Sequence, residues 1–290
     1  MILNYFGLIF LSMLASCLFQ RYPSFRNFRV PKTLDIILPT LNEEGNIRQH
    51  LDALMLAIQT LQEKYEIVVN CYIVDAGSTD KTLEILKEYR VTVLHSEVKG
   101  RGLQYAEAID ASKGDLILMV HADAVMKENT LLRLAREFYK RPHLEWGILG
   151  HVYDKRPFKM RIIELSNRLR FCFTAIAFGD QGIFVRRSCL EECGGMPRIK
   201  LMEDVEVSLR LAPCCSRVNL GNGQVVSVRG WEEKKYGGYT AMVIRLVVSY
   251  LFLRKIGWDL EKLTDKMYKI YYEMNQRIMK KPGLENEKNK

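Results

Sequence analysis

Cys71-Tyr72-Ile73-Val74-Asp75-Ala76-Gly77-Ser78-Thr79-Asp80 decides the fold. An apolar run suited to a buried strand meets an aspartate, a Gly-Ser-Thr turn and a second aspartate, and a helical pattern follows. Working outward, the same design recurs. Upstream, the run 36–38 meets Pro39-Thr40-Leu41-Asn42-Glu43-Glu44, and downstream the run 116–120 meets His121-Ala122-Asp123. Short apolar runs separated by helical patterns indicate a parallel sheet. In such a sheet ligands bind outside the carboxyl ends of the strands, so the three polar stations are expected to converge on one crevice. A fourth station, Leu201-Met202-Glu203-Asp204-Val205-Glu206, lies further along.

The elements between the stations support this reading. A strand over 35–38 ends at Pro39, and a helix then places Ile47, Leu51, Leu54, Ile58 and Leu61 on one face. After the strand 71–74, Ser78 or Thr79 is the expected cap of a helix reaching Tyr89, with Asp80 in its first turn. A third strand covers 91–95. Lys99-Gly100-Arg101-Gly102 opens a helix that stops near Gly114, and the wholly apolar run 116–120 is a strand buried on both faces. Asn129 caps a helix with Leu131, Leu134, Ala135 and Phe138 inward. This β-α alternation predicts an α/β fold, a mostly parallel central sheet flanked by helices with right-handed crossovers. Beyond Pro142 the pattern weakens. Strands are expected over 148–153 and 181–185, a basic amphipathic segment over 155–173 and a short helix over 203–211. The apolar stretch 239–253, broken by Arg245 and followed by Arg254-Lys255 and Trp258, suits a helix lying on a membrane or packed on the domain. A charged, disordered tail follows Lys280.

The 290 residues suffice for one large domain with appendages, and 48% hydrophobic content excludes a disordered chain. The net charge of +9 favours solubility, an anionic membrane or an anionic substrate, and no nucleic-acid-binding module is recognisable. The seven cysteines have no disulfide or zinc spacing, so reduced thiols are expected. Residues 2–19 are uncharged and mostly apolar. As a helix they would reach ~27 Å at the usual rise. That is close to the about 30 Å of a bilayer core. Arg21, Arg26, Arg29 and Lys32 follow, which would place the remainder on the cytoplasmic side. A cleaved signal segment, a lipoprotein box at Leu14-Ala15-Ser16-Cys17 and a buried helix are the rival readings. The expected organisation is 1–32 as anchor and basic linker, 33–232 as the α/β domain, and 233–290 as an amphipathic helical segment with its tail.

The stations Pro39-Thr40-Leu41-Asn42-Glu43, Val74-Asp75-Ala76-Gly77-Ser78-Thr79-Asp80, His121-Ala122-Asp123, Gly179-Asp180-Gln181-Gly182 and Glu203-Asp204 resemble, in this order, those of the inverting family 2 glycosyltransferases with a GT-A fold. The resemblance covers about residues 34–232. It is strongest to a small single-domain branch in which His-Ala-Asp replaces Asp-x-Asp. It implies transfer of a sugar from a nucleotide-diphosphate sugar, UDP-linked in many members, to a glycan or lipid-linked acceptor. By the same resemblance Pro39, Thr40 and Glu43 line the nucleoside pocket and Asp75 accepts the base N–H, a charge-assisted bond. Lys99 and Arg101, with their glycines, approach the pyrophosphate. His121 and Ala122 flank Asp123, the ligand of a divalent cation, Mn2+ or Mg2+, that stabilises the leaving diphosphate. His121 is either a further ligand or a core histidine. Asp180, Gln181 and Trp231, in Arg229-Gly230-Trp231, border the acceptor. Asp204 is the expected general base, with Glu203 as the rival, because an inverting displacement needs one base to take the acceptor proton. Transfer to a polyprenyl phosphate and a non-catalytic binding protein are the alternatives.

Overall fold

The structure, a computed structural model, describes residues 28–228 and 236–279, with backbone alone for 236–241 and 272–279. The segment proposed as an anchor, the tail after Lys280 and Arg229-Gly230-Trp231 lie outside the described residues. The first half is the predicted alternation: β1 (Thr33–Thr40), α1 (Ile47–Gln62), β2 (Val68–Asp75), α2 (Thr82–Leu86), β3 (Thr92–His95), α3 (Arg101–Ala111) and β4 (Leu116–Met119). β1 pairs in parallel with β2 and β4, and β2 with β3. Every residue of β4 is buried, as expected of a strand covered on both faces. Ile47, Leu51, Leu54 and Leu61 of α1 enter the core as predicted.

Two local expectations are corrected. β1 does not stop before Pro39 but runs through it to Thr40. The Ile37 carbonyl accepts Val120 N, so residues of that parity face β4, and β4 pairs with β1 only as far as Ile37. The missing N–H of Pro39 therefore points where the ladder has already ended. α2 is also shorter than predicted, because Ser78 donates its hydroxyl to Asp75 instead of capping a helix. Asp80 holds the turn, its carboxylate accepting Thr82 N (3.0 Å) and Glu44 N (3.1 Å).

The second half adds β5 (Ala124–Met126), α4 (Thr130–Lys140), β6 (Trp146–Ile148), β7 (His151–Tyr153), α5 (Phe158–Thr174), β8 (Ile183–Arg186), α6 (Arg187–Glu192), α7 (Glu203–Leu211), β9 (Arg217–Asn219) and β10 (Gln224–Val226). Leu131, Leu134, Ala135 and Phe138 of α4 are buried as predicted. The main sheet has seven strands in the order β3-β2-β1-β4-β8-β6-β9, with β8 antiparallel to both neighbours. β5, β10 and β7 form a second, three-stranded sheet. The strand predicted over 148–153 is thus two strands in two sheets. The chain crosses between them at Gly150, where φ is +71° and a Cβ would lie 1.9 Å from the Gly221 carbonyl oxygen. Only glycine tolerates both conditions.

α8 (Tyr236–Lys255) and α9 (Leu260–Met279) close the described chain. Met242, Leu246 and Tyr250 of α8 and Leu263 and Met267 of α9 form one cluster with Ile176, Leu201, Met202 and Val205. The 239–253 stretch therefore packs on the domain along this face. No helix among the described residues is long and apolar enough to cross a membrane. Glu145, Cys189 and Cys215 gather within 4.8 Å in the core, although their spacing resembles no zinc motif. Cys189 Sγ and Ser216 N both donate to the Glu145 carboxylate.

Glu206 of α7 clamps α8. It is buried and accepts from Tyr250 Oη (2.7 Å), Arg254 Nε (2.6 Å) and Arg210 Nε (2.9 Å). Burial raises its pKa, but the bonds from Arg254, Tyr250 and Arg210 outweigh burial and leave it below the ordinary value. A depressed carboxyl contributes stability that is present above its unfolded pKa and lost as pH falls through the folded one. Glu206→Gln is expected to lower unfolding stability by about 3 kcal/mol at neutral pH, because two guanidinium groups lose their charged partner. It should also flatten the acid limb of stability against pH. Urea titrations across pH check this, and an unchanged midpoint contradicts the clamp.

Candidate active site

The loops after β1 and β2 are bound edge to edge. Asn42 N donates to Ser78 Oγ (2.9 Å), and Asn42 Oδ1 accepts Thr79 N (2.8 Å). Glu43 N donates to Thr82 Oγ1 (2.8 Å), and Lys81 N to Glu44 Oε2 (3.0 Å). Asn42, at φ +55°, is the hinge of this arrangement and was not among the predicted site residues. Its signal was its place between Thr40 and Glu43, in a left-handed conformation that asparagine tolerates better than most residues. Gln104, also unpredicted and buried, ties the strand ends together from α3 by donating to the Thr40 and Val74 carbonyls.

Asp75 is wholly buried. Its Oδ2 accepts Gly77 N and Ser78 N, each at 2.9 Å, and its Oδ1 accepts the hydroxyls of Ser78 and, at 3.5 Å, Thr40. Thr40 is likewise buried, and Pro39 is half-buried inside β1. The carboxylate of Asp75 thus shapes the turn from within. Glu43 is half-buried at the mouth of the same loops. Burial raises its carboxyl above the ordinary value, an effect that the Asn46 amide opposes and the charge of Asp123 reinforces. The first and third stations lie side by side at the carboxyl ends of β1, β2 and β4, because β1 pairs in parallel with both neighbours.

Arg101 joins the third station to the fourth. Its Nε lies 2.9 Å from Glu203 Oε1, and its Nη1 lies 3.1 Å from His121 Nε2. Arginine only donates, so His121 Nε2 accepts and the ring proton resides on Nδ1. That nitrogen faces Asp123 Oδ1 at 3.7 Å. Residues 121–123 form a turn in which His121 and Asp123 face the same side. Ala122 points the other way, into the main core cluster, and does not face the crevice. Asp123 is 58% exposed. Partial desolvation would raise its pKa, but His121 and Arg101 outweigh it and hold the carboxyl below its usual range.

Glu203 and Asp204, adjacent at the start of α7, have opposite surroundings. Glu203 is 1% exposed beneath Arg101 and its pKa is raised, chiefly by burial, with Arg101 opposing. Asp204 is half-exposed; its Oδ2 accepts Gly179 N (2.8 Å) and its Oδ1 accepts Val205 N (2.8 Å). Of the two, only Asp204 presents a carboxylate to the crevice. Gly179 sits against His121, where a Cβ would lie 2.4 Å from Nε2. Asp180 is half-buried, 3.9 Å from His151 Nδ1. Gln181 is buried, its Oε1 accepting Phe178 N and Arg170 Nη2, both at 2.9 Å. Arg170, which sequence reasoning missed, lies over the Phe178 ring at 3.5 Å. Burial lowers it to about 10, against the pull of Asp180 and Asp204. Its signal was a basic residue on the inner side of the amphipathic segment 155–173.

Lys99 is exposed beside the crevice. The glycines around Arg101 have a different cause from the one expected. A Cβ on Gly102 would lie 2.3 Å from the Ile199 carbonyl oxygen, and one on Gly100 would lie 3.0 Å from Lys200 Cα. They admit the 197–200 segment that leads into α7. Trp231 lies outside the described residues.

The Arg101–Glu203 pair generates a test. Arg101→Gln leaves a buried carboxylate unpaired and is expected to cost about 3 kcal/mol of unfolding stability. Adding Glu203→Gln removes the orphaned charge and should recover most of that loss. Equal denaturation midpoints for the single and double variants would show that the pair does not carry this strain.

Residues 35–193 match the family model described as glycosyl transferase family 2. Over 105 residues the chain is 36% identical to the low-salt glycan biosynthesis hexosyltransferase Agl6 of Haloferax volcanii, covering 36% of this chain and 24% of that protein. Over 170 residues it is 25% identical to the undecaprenyl-phosphate 4-deoxy-4-formamido-L-arabinose transferase of Edwardsiella ictaluri, covering 55% of this chain and 50% of that protein. The chain therefore spans half or less of the length of these curated relatives. Among solved structures, the mannosyltransferase PcManGT of Pyrobaculum calidifontis, in complex with GDP-Man and Mn2+, matches with a TM-score of 0.58 at 18% identity. That match covers 93% of this chain and 78% of the other, and at this identity it shows the fold alone.

Proposed function

The chain belongs to glycosyl transferase family 2 and has the GT-A fold, and on that premise we propose that it transfers a sugar, with inversion, from a nucleotide-diphosphate sugar to an acceptor hydroxyl. The observation that carries this reading is the line of groups Asp123–His121–Arg101–Glu203, with Asp204 next to Glu203, across the carboxyl edge of the sheet. It sets one exposed and one half-exposed carboxylate on either side of a fixed cation.

In this reading the bound loops after β1 and β2 hold the nucleoside. Asp75 acts from beneath by fixing the loop, because its oxygens are already engaged, and Glu43 and the loop backbone meet the base and ribose. UDP is the donor nucleotide favoured by the motif order. Asp123 fits a divalent cation: it offers an exposed, ionised oxygen, the donor type that Mg2+ and Mn2+ accept. No cluster of three metal-ligating side chains surrounds it among the described residues, so diphosphate oxygens and water would complete the shell. When bound, such an ion supplies Lewis-acid stabilisation of the departing diphosphate. His121 stands beside Asp123, its Nδ1 3.7 Å from Oδ1, and is not itself a ligand, since Arg101 occupies Nε2.

Asp204 is the general base. The acceptor hydroxyl gives it a proton, the acceptor oxygen forms a bond to the anomeric carbon, and the bond to the diphosphate oxygen breaks with its electron pair. Attack opposite the leaving group inverts the centre. Glu203, buried under Arg101, is assigned to holding that guanidinium. A second reading, transfer to a polyprenyl phosphate, is favoured by the likeness to the undecaprenyl-phosphate transferase. A phosphate acceptor needs little help in losing a proton, so this reading asks less of a base. A lipid-linked acceptor fits membrane association with the catalytic face toward the cytoplasm.

Thermal-shift titration tests the donor. UDP with Mn2+ or Mg2+ is expected to raise the melting temperature, more than GDP does, by preferential binding to the folded state. Asp123→Asn should remove the metal-dependent part. A larger shift with GDP would overturn the choice of base, and equal metal dependence in both proteins would overturn Asp123 as the ligand.

Single-turnover kinetics test the base. Asp204→Asn keeps the side-chain shape and one of the two backbone bonds but removes the proton acceptor, and is expected to slow transfer to a hydroxyl acceptor by about 10²–10⁴. Donor affinity should stay near that of the unaltered protein, the mark of a transition-state role. Rapid transfer to a polyprenyl phosphate by the same variant would favour the second reading.

A further inference from the structure

α5 has a surface that neither the fold nor the crevice explains. Phe158, Ile162, Leu165 and Leu169 are 79%, 52%, 56% and 46% exposed. Their spacing of four, three and four residues aligns them along one face. Phe173, also exposed, extends the line by another turn. The opposite face is fixed to the domain. Met160 packs with Tyr153, Val226 and Val228, Phe171 packs against Trp146, and buried Glu164 accepts Arg156 Nη2 (2.6 Å) and Tyr153 N (3.0 Å). The helix is therefore held in place with its apolar line turned to solvent.

Basic side chains border that line. At 100° per residue, Lys159 falls on one side of it, and Arg161 and Arg168 fall on the other, all three exposed. An apolar stripe between basic flanks is the pattern of a helix lying in the plane of a membrane interface, with the flanks at the level of anionic headgroups. A protein partner would not require both flanks to carry the same sign, whereas a uniformly anionic surface does. The net charge of +9 acts in the same direction. At 17 residues α5 is about 25 Å long at the usual rise, and with polar residues on its inner face it would lie along a bilayer and not cross it.

We propose that α5 docks this chain onto an anionic lipid surface, with Phe158, Ile162, Leu165 and Leu169 buried in the interface. The docking rests on the surface of α5 and not on the transfer chemistry proposed above. It does have a consequence for that chemistry. The C-terminal turn of α5 carries Arg170, which holds Gln181, and the adjoining Gly179 N is bonded to Asp204. A membrane under α5 thus lies beside the acceptor side of the crevice, within reach of an acceptor carried on a lipid.

The test uses the full chain with Leu165→Trp. Its added fluorescence is expected to shift to the blue on phosphatidylcholine–phosphatidylglycerol vesicles and to be quenched by lipids brominated on their acyl chains. A tryptophan placed at Glu107, on α3, should show neither change. Absence of quenching at position 165 overturns the proposal even if the chain sediments with vesicles through other segments. In parallel, Ile162→Glu with Leu165→Glu should weaken partitioning to the anionic vesicles by about tenfold or more, with an unchanged melting temperature. Nucleotide binding by this variant should persist, which separates failure of the docking from failure of the transferase reading. Quenching that is equal on pure phosphatidylcholine would remove the anionic specificity. A dimer in light scattering that the same glutamates dissociate would assign the stripe to a second copy of the chain instead.

Discussion

Glu203 is a carboxylate with almost no access to water, and such a group must be given a partner or a proton. Arg101 is that partner, and much of the crevice follows from meeting its geometry. To place the guanidinium over Glu203, α3 must start at residue 101 directly against the segment that leads into α7. That approach needs Gly100 and Gly102, because Ile199 and Lys200 occupy the space a side chain would fill. The remaining N–H groups of Arg101 then reach His121, determine its tautomer and turn its Nδ1–H toward Asp123. A single buried charge thus links the fourth β-strand's loop, the third helix and the seventh.

Around that link, two kinds of support differ in character. The side proposed to hold the nucleoside is built from backbone: the loops after β1 and β2 exchange amide and side-chain bonds, and Asp75 folds its own turn from the inside. The side proposed for the acceptor is held by side chains: Arg170 stacks on Phe178 and holds Gln181, while Asp204 receives Gly179 N. Hydrogen bonds along an ordered backbone give a rigid wall. That second wall hangs on Arg170, whose charge is disfavoured by burial and which α5 carries near its C-terminal end. Under the proposal for α5, a surface that positions this helix also positions that wall.

The strands β1, β2 and β4 and the helices α1, α4 and α7 were legible in the sequence because each obeys a strong local rule. Strands covered on both faces read as apolar runs, and amphipathic helices repeat at their own period. What escaped was set by distant neighbours. Pro39 breaks a strand only where its N–H would be needed, and that depends on where β4 ends. Ser78 looks like a helix cap until Asp75 takes its hydroxyl. The glycines beside Arg101 resemble a phosphate loop, but they make room for residues about a hundred positions later. The three-stranded sheet was missed because strands of three residues carry no measurable alternation. Among the site residues, Asp123 is exposed and Asp204 half-exposed at the start of α7, while Ala122 and Asp75 turn inward for reasons of packing and turn geometry.

The central claim is that the carboxyl edge of the sheet holds a nucleoside diphosphate and its cation between the bound loops and Asp123. A crystal structure grown with UDP and Mn2+, with data collected at the manganese absorption edge, tests it directly. The account predicts one anomalous peak within bonding distance of an Asp123 oxygen, diphosphate oxygens on the same ion, and Arg101 still bridging His121 and Glu203. A peak at Glu145, Cys189 and Cys215 alone, or a nucleotide bound away from the loops after β1 and β2, would contradict it.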